Sequence, residues 1–318
     1  MRKSLDLTNW EAAQRLVREW EVEGPEDAVT VEVACERFLA DGKGRELSTG
    51  MISKYTNVML ELGSELGDLP LRSVKVDDVR KIREGWKLAP ITMQKRLEML
   101  RSFFRFCVDS GWIEKNPAKT IKLPVVRFVP TLPYTKEQMK KILAAAENVR
   151  ETHPKMPRGS EKKLKALILL MRYSGLRISD AVSLKREAIG SGGRLFLYQA
   201  KTGHPVVVPL PEVVIEALRE CDEKKEYYFW TGIGKLKSGI TEWQDRLKKV
   251  FVIAGIPGGH SHQLRDSFAV SLLERGVSLE TVSILLGHQN IRTTQMHYAP
   301  WVHSRQLALE ESVKRTWV

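Results

Sequence analysis

The sequence predicts a mainly α-helical protein of two domains, the second carrying one small β-hairpin. Apolar residues recur at three- and four-residue spacing along most of the chain, as in Met93, Leu97, Leu100, Phe104 and Val108. That is the period of an amphipathic helix. Strand character is confined to Arg194-Leu195-Phe196-Leu197-Tyr198 and Pro205-Val206-Val207-Val208-Pro209, two β-rich runs joined by a turn containing Gly203. Between the halves, KLPVVRFVPTLPYTKEQ holds Pro124, Pro130 and Pro133 and reads as an extended linker. A length of 318 residues suits two domains.

In order, Asn9 caps a helix from Trp10 to Glu21, which Gly24-Pro25 breaks. A helix follows Thr30 (VEVACERFLADG) and another runs from Ser53 (SKYTNVMLELGSELG). PLRSVKVDDVRKIREGW is a turn and a short helix. ITMQKRLEMLRSFFRFCVDSGW is the longest amphipathic stretch of this half, with Lys95, Arg96, Arg101 and Arg105 as its cations. Asn116-Pro117 closes a bundle of roughly four helices. Beyond the linker, Thr135 with Gln138 spells a capping box that opens the second, mostly helical domain. The divisions expected are an extension over 1–27, a helical domain over 28–122, a linker over 123–134, a second domain over 135–303 and a tail over 304–318.

The net charge is +12, unevenly spread: residues 1–86 hold 13 Lys and Arg against 17 Asp and Glu, residues 87–130 hold 9 against 3, and residues 131–318 hold 29 against 19. Such an excess favours a polyanionic partner, because each cation placed on a phosphate releases a condensed counterion. The apolar runs are too short to span a bilayer, and MRKSLDLTNWE has no apolar core of a secretory signal. Cys35, Cys107 and Cys221 are odd in number and scattered, which fits a reducing cytoplasm better than a disulfide framework or a zinc site.

Four stretches concentrate polar groups where a packed helix does not need them. In YSGLRISDAVSL, Arg177 follows a helix ending at Gly175, and Asp180 lies three residues on, a spacing at which the two can meet on one helix face. Alone, this reads equally as a surface ion pair. Lys201 sits in the hairpin turn, an ordinary place for a solvated lysine. In GGHSHQLRDSFAVSLLERG, His262 and Arg265 share a face at the start of a helix whose dipole favours anions, with Asp266 next and Phe268, Val270, Leu272 and Leu273 as the buried stripe. His260 is off that face and reads as turn chemistry. In LLGHQNIRTTQMHYAPW, Gly287 ends a helix, His288 falls in the turn, and Asn290 caps a helix that presents Tyr298 at its far end. A half-buried tyrosine bonded to a backbone carbonyl is the plain alternative there.

Taken in order, Arg177, Lys201, His262, Arg265, His288 and Tyr298 resemble the signature of the tyrosine recombinase (phage integrase) family. GLRISD, the lysine-bearing hairpin, HQLRDSFA and LLGHQNIRTTQMHY stand in the family's order. LRSFFRFCVDSGWIEKNPA resembles the end of its helical core-binding domain. The likeness covers roughly residues 28–303. Asp266 departs from the pattern, standing where many members carry His.

The resemblance implies a helical core-binding domain and a catalytic domain forming a C-shaped clamp on double-stranded DNA. It implies attack by Tyr298 on a phosphodiester to give a 3′-phosphotyrosyl link and a free 5′-hydroxyl, with neither metal nor nucleotide cofactor. Arg177 and Arg265 would bind the phosphate, Lys201 protonate the leaving oxygen, His262 serve as base or phosphate ligand, and His288 donate to the phosphate. Asp180 would orient Arg177 or a histidine from behind, and Lys95, Arg96, Arg101 and Arg105 would contact DNA. No clustered acidic set suggests a metal. Four protomers on two sites, a tail exchanged between neighbours, an accessory DNA-bending or directionality factor and a cytoplasmic, nucleoid-associated location complete the expectation. A type IB topoisomerase-like enzyme and an idle DNA-binding accessory protein are the rival readings.

Overall fold

The computed structural model describes Trp10, residues 13–15, 17–18, 29–126, 131–221, 225–298 and 310–317. The chain forms two compact units that divide between residues 128 and 129. Most of the expected extension over 1–27, linker residues 127–130 and tail residues 304–309 lie outside the described residues.

In the first unit, α1 (Val31–Gly44) opens on Thr30, whose hydroxyl accepts the Val33 amide at 3.3 Å. The next helix, α2 (Thr49–Leu66), starts four residues ahead of the expected Ser53. Ser48 accepts the Met51 amide at 3.3 Å and so sets the boundary. Then come α3 (Val76–Glu84) and α4 (Pro90–Asp109), the latter with Pro90 at its first turn, where a missing N–H costs nothing. Phe38, Leu62, Leu97, Leu100, Phe103 and Phe104 fill the core. Met93 and Val108 of the expected α4 stripe are only partly buried.

The four cations of α4 divide. Lys95 and Arg105 are exposed. Arg96 pairs with Glu61 at 2.7 Å and lies over the Trp86 ring. Arg101 donates to the carbonyls of Ala118, Lys119 and Ile121 at 3.2, 3.3 and 2.6 Å, satisfying a loop whose backbone has no regular partner. All three cysteines are buried as free thiols, and burial pushes Cys35 and Cys107 up to about 12 and Cys221 to about 11.

The second unit is built around α7 (Ser160–Ser174), with Leu164 and every residue from Ala166 to Met171 buried. Around it pack α5 (Lys136–Glu147), α9 (Glu212–Arg219) and α11 (His262–Leu273), while α10 (Leu236–Ile253) lies against α5. A single turn, α6 (Val149–Thr152), follows α5, and α8 (Ile178–Val182) follows α7. Thr135 and Gln138 form both halves of the capping box on α5. β1 (Arg194–Tyr198) pairs antiparallel with β2 (Pro205–Pro209) in the register Phe196 to Val207, the bounds and pairing the sequence predicts. α12 (Leu279–Leu285) and α13 (Ile291–Tyr298) follow, and residues 310–314 are helical again, ahead of a 3-10 turn at Arg315–Trp317. Among the described residues no helix is long and apolar enough to cross a membrane.

Candidate active site

Two glycines bring the segments of the site together. α7 stops at Gly175, whose φ of +66° is the left-handed region that favours glycine. A Cβ there would stand 2.5 Å from Phe268 of α11 and 2.9 Å from Leu286 after α12. Gly287, at φ +61°, sits so close to Gln199 that a Cβ would meet its amide at 2.7 Å. The backbone at these two glycines therefore presses directly against side chains from distant parts of the chain.

Arg265 is the hub of this junction. It is 1% exposed, and its guanidinium donates to the Gly175 carbonyl at 2.5 Å and the Leu286 carbonyl at 2.8 Å. The sequence suggests that Arg265 and His262 point together from the start of α11 as an anion site. The structure corrects this for Arg265, which points inward while His262 stays exposed. Its Nε is buried without a partner among the described residues.

Arg177 is the extended residue ahead of α8, so it does not share a helical face with Asp180 as its spacing suggests. Its guanidinium donates to the Gln199 amide oxygen. Asp180 instead accepts the Ala200 amide at 3.1 Å and so fixes the root of the hairpin turn. One residue further, Lys201 projects from that turn into solvent.

His288 holds Arg265 from the other side, with Nε2 3.0 Å from the guanidinium and Nδ1 2.8 Å from the Thr294 hydroxyl. A guanidinium only donates, so Nε2 accepts, and Nδ1 carries the proton toward Thr294. Tyr298, at the end of α13, is 4% exposed and donates its phenol hydrogen to Asp266 Oδ1 at 2.7 Å. The acceptor is thus a carboxylate rather than a backbone carbonyl. Nε2 of His262 stands 3.8 Å from the same oxygen.

The electrostatics follow from two buried or half-buried guanidiniums side by side. Burial, and then Arg177, pulls Arg265 down to about 10, and burial lowers Arg177 as well. Burial beside both arginines takes His288 down to about 3, so it is neutral at pH 7. His262 is also held below its ordinary value by desolvation, with Arg265 and Arg177 adding to the effect and Asp266 opposing it. Burial raises Asp180, against the Ala200 amide and the two arginines. Tyr298 is pushed well above an ordinary phenol by burial and by Asp266, with Arg265 and Arg177 pulling the other way.

Arg177, His262, Arg265, His288 and Tyr298 thus lie in one connected network. Three of its members, Asp266, Gln199 and Thr294, are absent from the sequence-based set. Gln199 is 1% exposed and bridges Arg177, the Leu286 carbonyl and Thr202. Its signal was strand alternation: Leu195 and Leu197 face inward, and Gln199 continues that face as a polar residue. Thr294 is fully buried one helical turn before Tyr298, a spacing that puts both on one face.

Comparison with known proteins agrees. Residues 134–304, more than half of the chain, match the model of the phage integrase family. Tyrosine recombinase XerC of Erythrobacter litoralis is 29% identical over 279 residues, 83% of this chain and 86% of that protein. XerC of Chlamydia trachomatis serovar L2 is 29% identical over 217 residues, and the match spans 66% of its length. In fold, a lambda integrase dimer bound to a COC′ core site superposes with a TM-score of 0.69 at 18% identity, over 92% of this chain and 86% of that one. A Tn1549 transposon integrase in complex with transposon right end DNA gives 0.66, over 91% and 100%. With the family model matched across the unit that holds the Arg177, Arg265 and Tyr298 network, the chain belongs to the phage integrase family, the tyrosine recombinases.

Proposed function

We infer that this chain is a site-specific DNA recombinase in which Tyr298 cleaves and rejoins duplex DNA through a 3′-phosphotyrosyl intermediate. The observation that carries the reading is the convergence of Arg177, Arg265, His262 and His288, from three separate segments, around a buried tyrosine hydroxyl. A buried Tyr serving only as packing has no need of two guanidiniums beside it, each of which costs desolvation.

The chemistry runs as follows. The phosphodiester sits against Arg177 and Arg265, whose charge is permanent and whose planar forks suit phosphate oxygens. Charge grows on the non-bridging oxygens as the phenol attacks, and each preorganised donor contributes about 3–4 kcal/mol at that stage. Arg265 Nε, buried and unpaired, is a donor in reserve for this load. Lys201, on its exposed turn, protonates the departing 5′-oxygen. His288 can change tautomer, because the Thr294 hydroxyl donates as readily as it accepts. Its Nε2 then turns from accepting from Arg265 to donating to phosphate. The bond energy is held in the phosphotyrosyl link, so religation consumes no nucleotide and needs no metal.

On DNA we place Lys95 and Arg105, both exposed, on the duplex. Arg96 and Arg101 act mainly by shaping the first unit through their internal partners. Assembly is as four protomers on two sites, with the tail exchanged between neighbours. Exposed Val313 and Trp317 support that reading. So does the lambda integrase tetramer bound to a Holliday junction, of similar fold.

Covalent capture tests the reading. Duplexes selected from a randomised pool by binding, each nicked to release a short fragment on cleavage, are incubated with wild type and Tyr298→Phe in EDTA and run on a denaturing gel. Wild type is expected to form a protein–DNA adduct and Tyr298→Phe none. Binding without an adduct would favour an accessory DNA-binding protein. Relaxation of supercoiled plasmid without strand exchange between sites would favour the topoisomerase-like alternative.

A further inference from the structure

We propose that Asp266 is a catalytic residue, the acceptor of the Tyr298 proton during cleavage and its donor during religation. The inference rests on the reading of Tyr298 as nucleophile. The phenol already donates its hydrogen bond to Asp266 Oδ1 at 2.7 Å, and both side chains are about 95% buried, so water does not compete for it. The charged groups acting on the phenol are Asp266 and Arg265 from α11 and Arg177 from the start of α8. His297 is its neighbour on α13, with ring centroids 6.2 Å apart. The guanidiniums can only donate, and it is the carboxylate that the phenol addresses. His262, expected to be the base or a phosphate ligand, keeps its Nε2 3.8 Å from that same oxygen, which places it beside the acceptor.

The resting hydrogen bond favours the protonated phenol, which keeps the nucleophile quiet until phosphate arrives. As the phenolic oxygen bonds to phosphorus its basicity collapses, and the proton moves along the existing hydrogen bond to Oδ1. The step balances. The tyrosyl oxygen–phosphorus bond forms and the phosphorus–O5′ bond breaks. Asp266 gains the phenolic proton, and the 5′-oxygen gains one from Lys201. Religation reverses each transfer. Asp266, at a position where the family pattern often has His, is on this account part of the machinery, coupled to Tyr298 across α11 and α13.

The test uses the full chain and single-turnover cleavage of the nicked duplexes described above. Asp266→Asn keeps an acceptor oxygen but cannot take a proton, and is expected to cleave at least about 100-fold more slowly than wild type with duplex affinity unchanged. Asp266→Ala is expected to regain cleavage with added formate and not with formamide, a neutral molecule of the same shape. That charge-specific rescue is one a purely structural role would not give. An Asn variant within threefold of wild type, or faster, would overturn the proposal by showing that the hydrogen bond only parks the phenol. So would an Ala variant that formate leaves inactive. Wild type itself forming no adduct would remove the nucleophile reading and this inference together, and is told apart because it does not depend on position 266.

Discussion

At the scale of single residues, the site is governed by side chains that each hold two or more partners. Gln199 is the clearest case, since it faces Arg177 with its oxygen and the Leu286 carbonyl with its nitrogen. Gln199→Ala is expected to lose about 1–3 kcal/mol of stability by leaving the partly buried Arg177 guanidinium without its acceptor, while the Leu286 carbonyl keeps Arg265. Cleavage should fall at least 10-fold as Arg177 loses its hold, while duplex affinity stays near wild type. Thermal melts and adduct kinetics check both. His288 carries a pH signature. Its folded value of about 3 lies below the ordinary value, so between the two the unfolded chain binds more protons. Stability is therefore full above about pH 6.5 and declines toward pH 3, by at most about 1.4 kcal/mol per pH unit. Melting temperatures of wild type and His288→Gln measured at pH 7, 5.5 and 4 should converge as the pH falls.

At the scale of elements, the hairpin and the helix ends decide what meets what. Asp180 and Gln199 pin the root of the β1–β2 turn while Lys201 remains exposed beyond it. Lys201→Ala is expected to bind duplex as wild type does and to fail in cleavage. Substrate with sulfur at the 5′-bridging position, a leaving group that needs no proton, should restore cleavage. Gly287→Ala should cost about 1–2 kcal/mol for its left-handed backbone alone, and more through the Gln199 contact. A proteolysis or melting comparison with Gly203→Ala isolates the second term, because Gly203 shares the positive φ and has nothing within 4 Å of an added Cβ. The boundaries of these elements were largely legible. Thr30, Thr135 and Asn290 cap as their side chains predict. The start of α2 was missed because Ser48 caps it where apolar periodicity has not yet begun.

At the scale of the whole molecule, the positive charge should show itself as salt dependence. Log affinity for duplex is expected to fall linearly with log salt, and Lys95→Ala or Arg105→Ala should each reduce the slope by about 1. Arg101→Ala should behave differently, lowering the melting temperature of the first unit with little change of slope, because its guanidinium is engaged with three carbonyls. Fluorescence titration over a salt series separates the two classes. From sequence the four cations of α4 look alike, since helical spacing says which face a residue occupies and not what a loop 20 residues away presents to it.

The sequence alone determined the helical class, the hairpin and the order of Arg177, Lys201, His262, Arg265, His288 and Tyr298. All of these depend on local spacing and side-chain chemistry. Only the tertiary structure decided that Arg265 turns inward to the ends of α7 and α12, that Gln199 clasps Arg177, and that Asp266 holds the Tyr298 hydroxyl. Each joins groups between 21 and 90 residues apart in the chain. Such contacts exist only once packing has excluded water and left buried donors to find their acceptors within the protein.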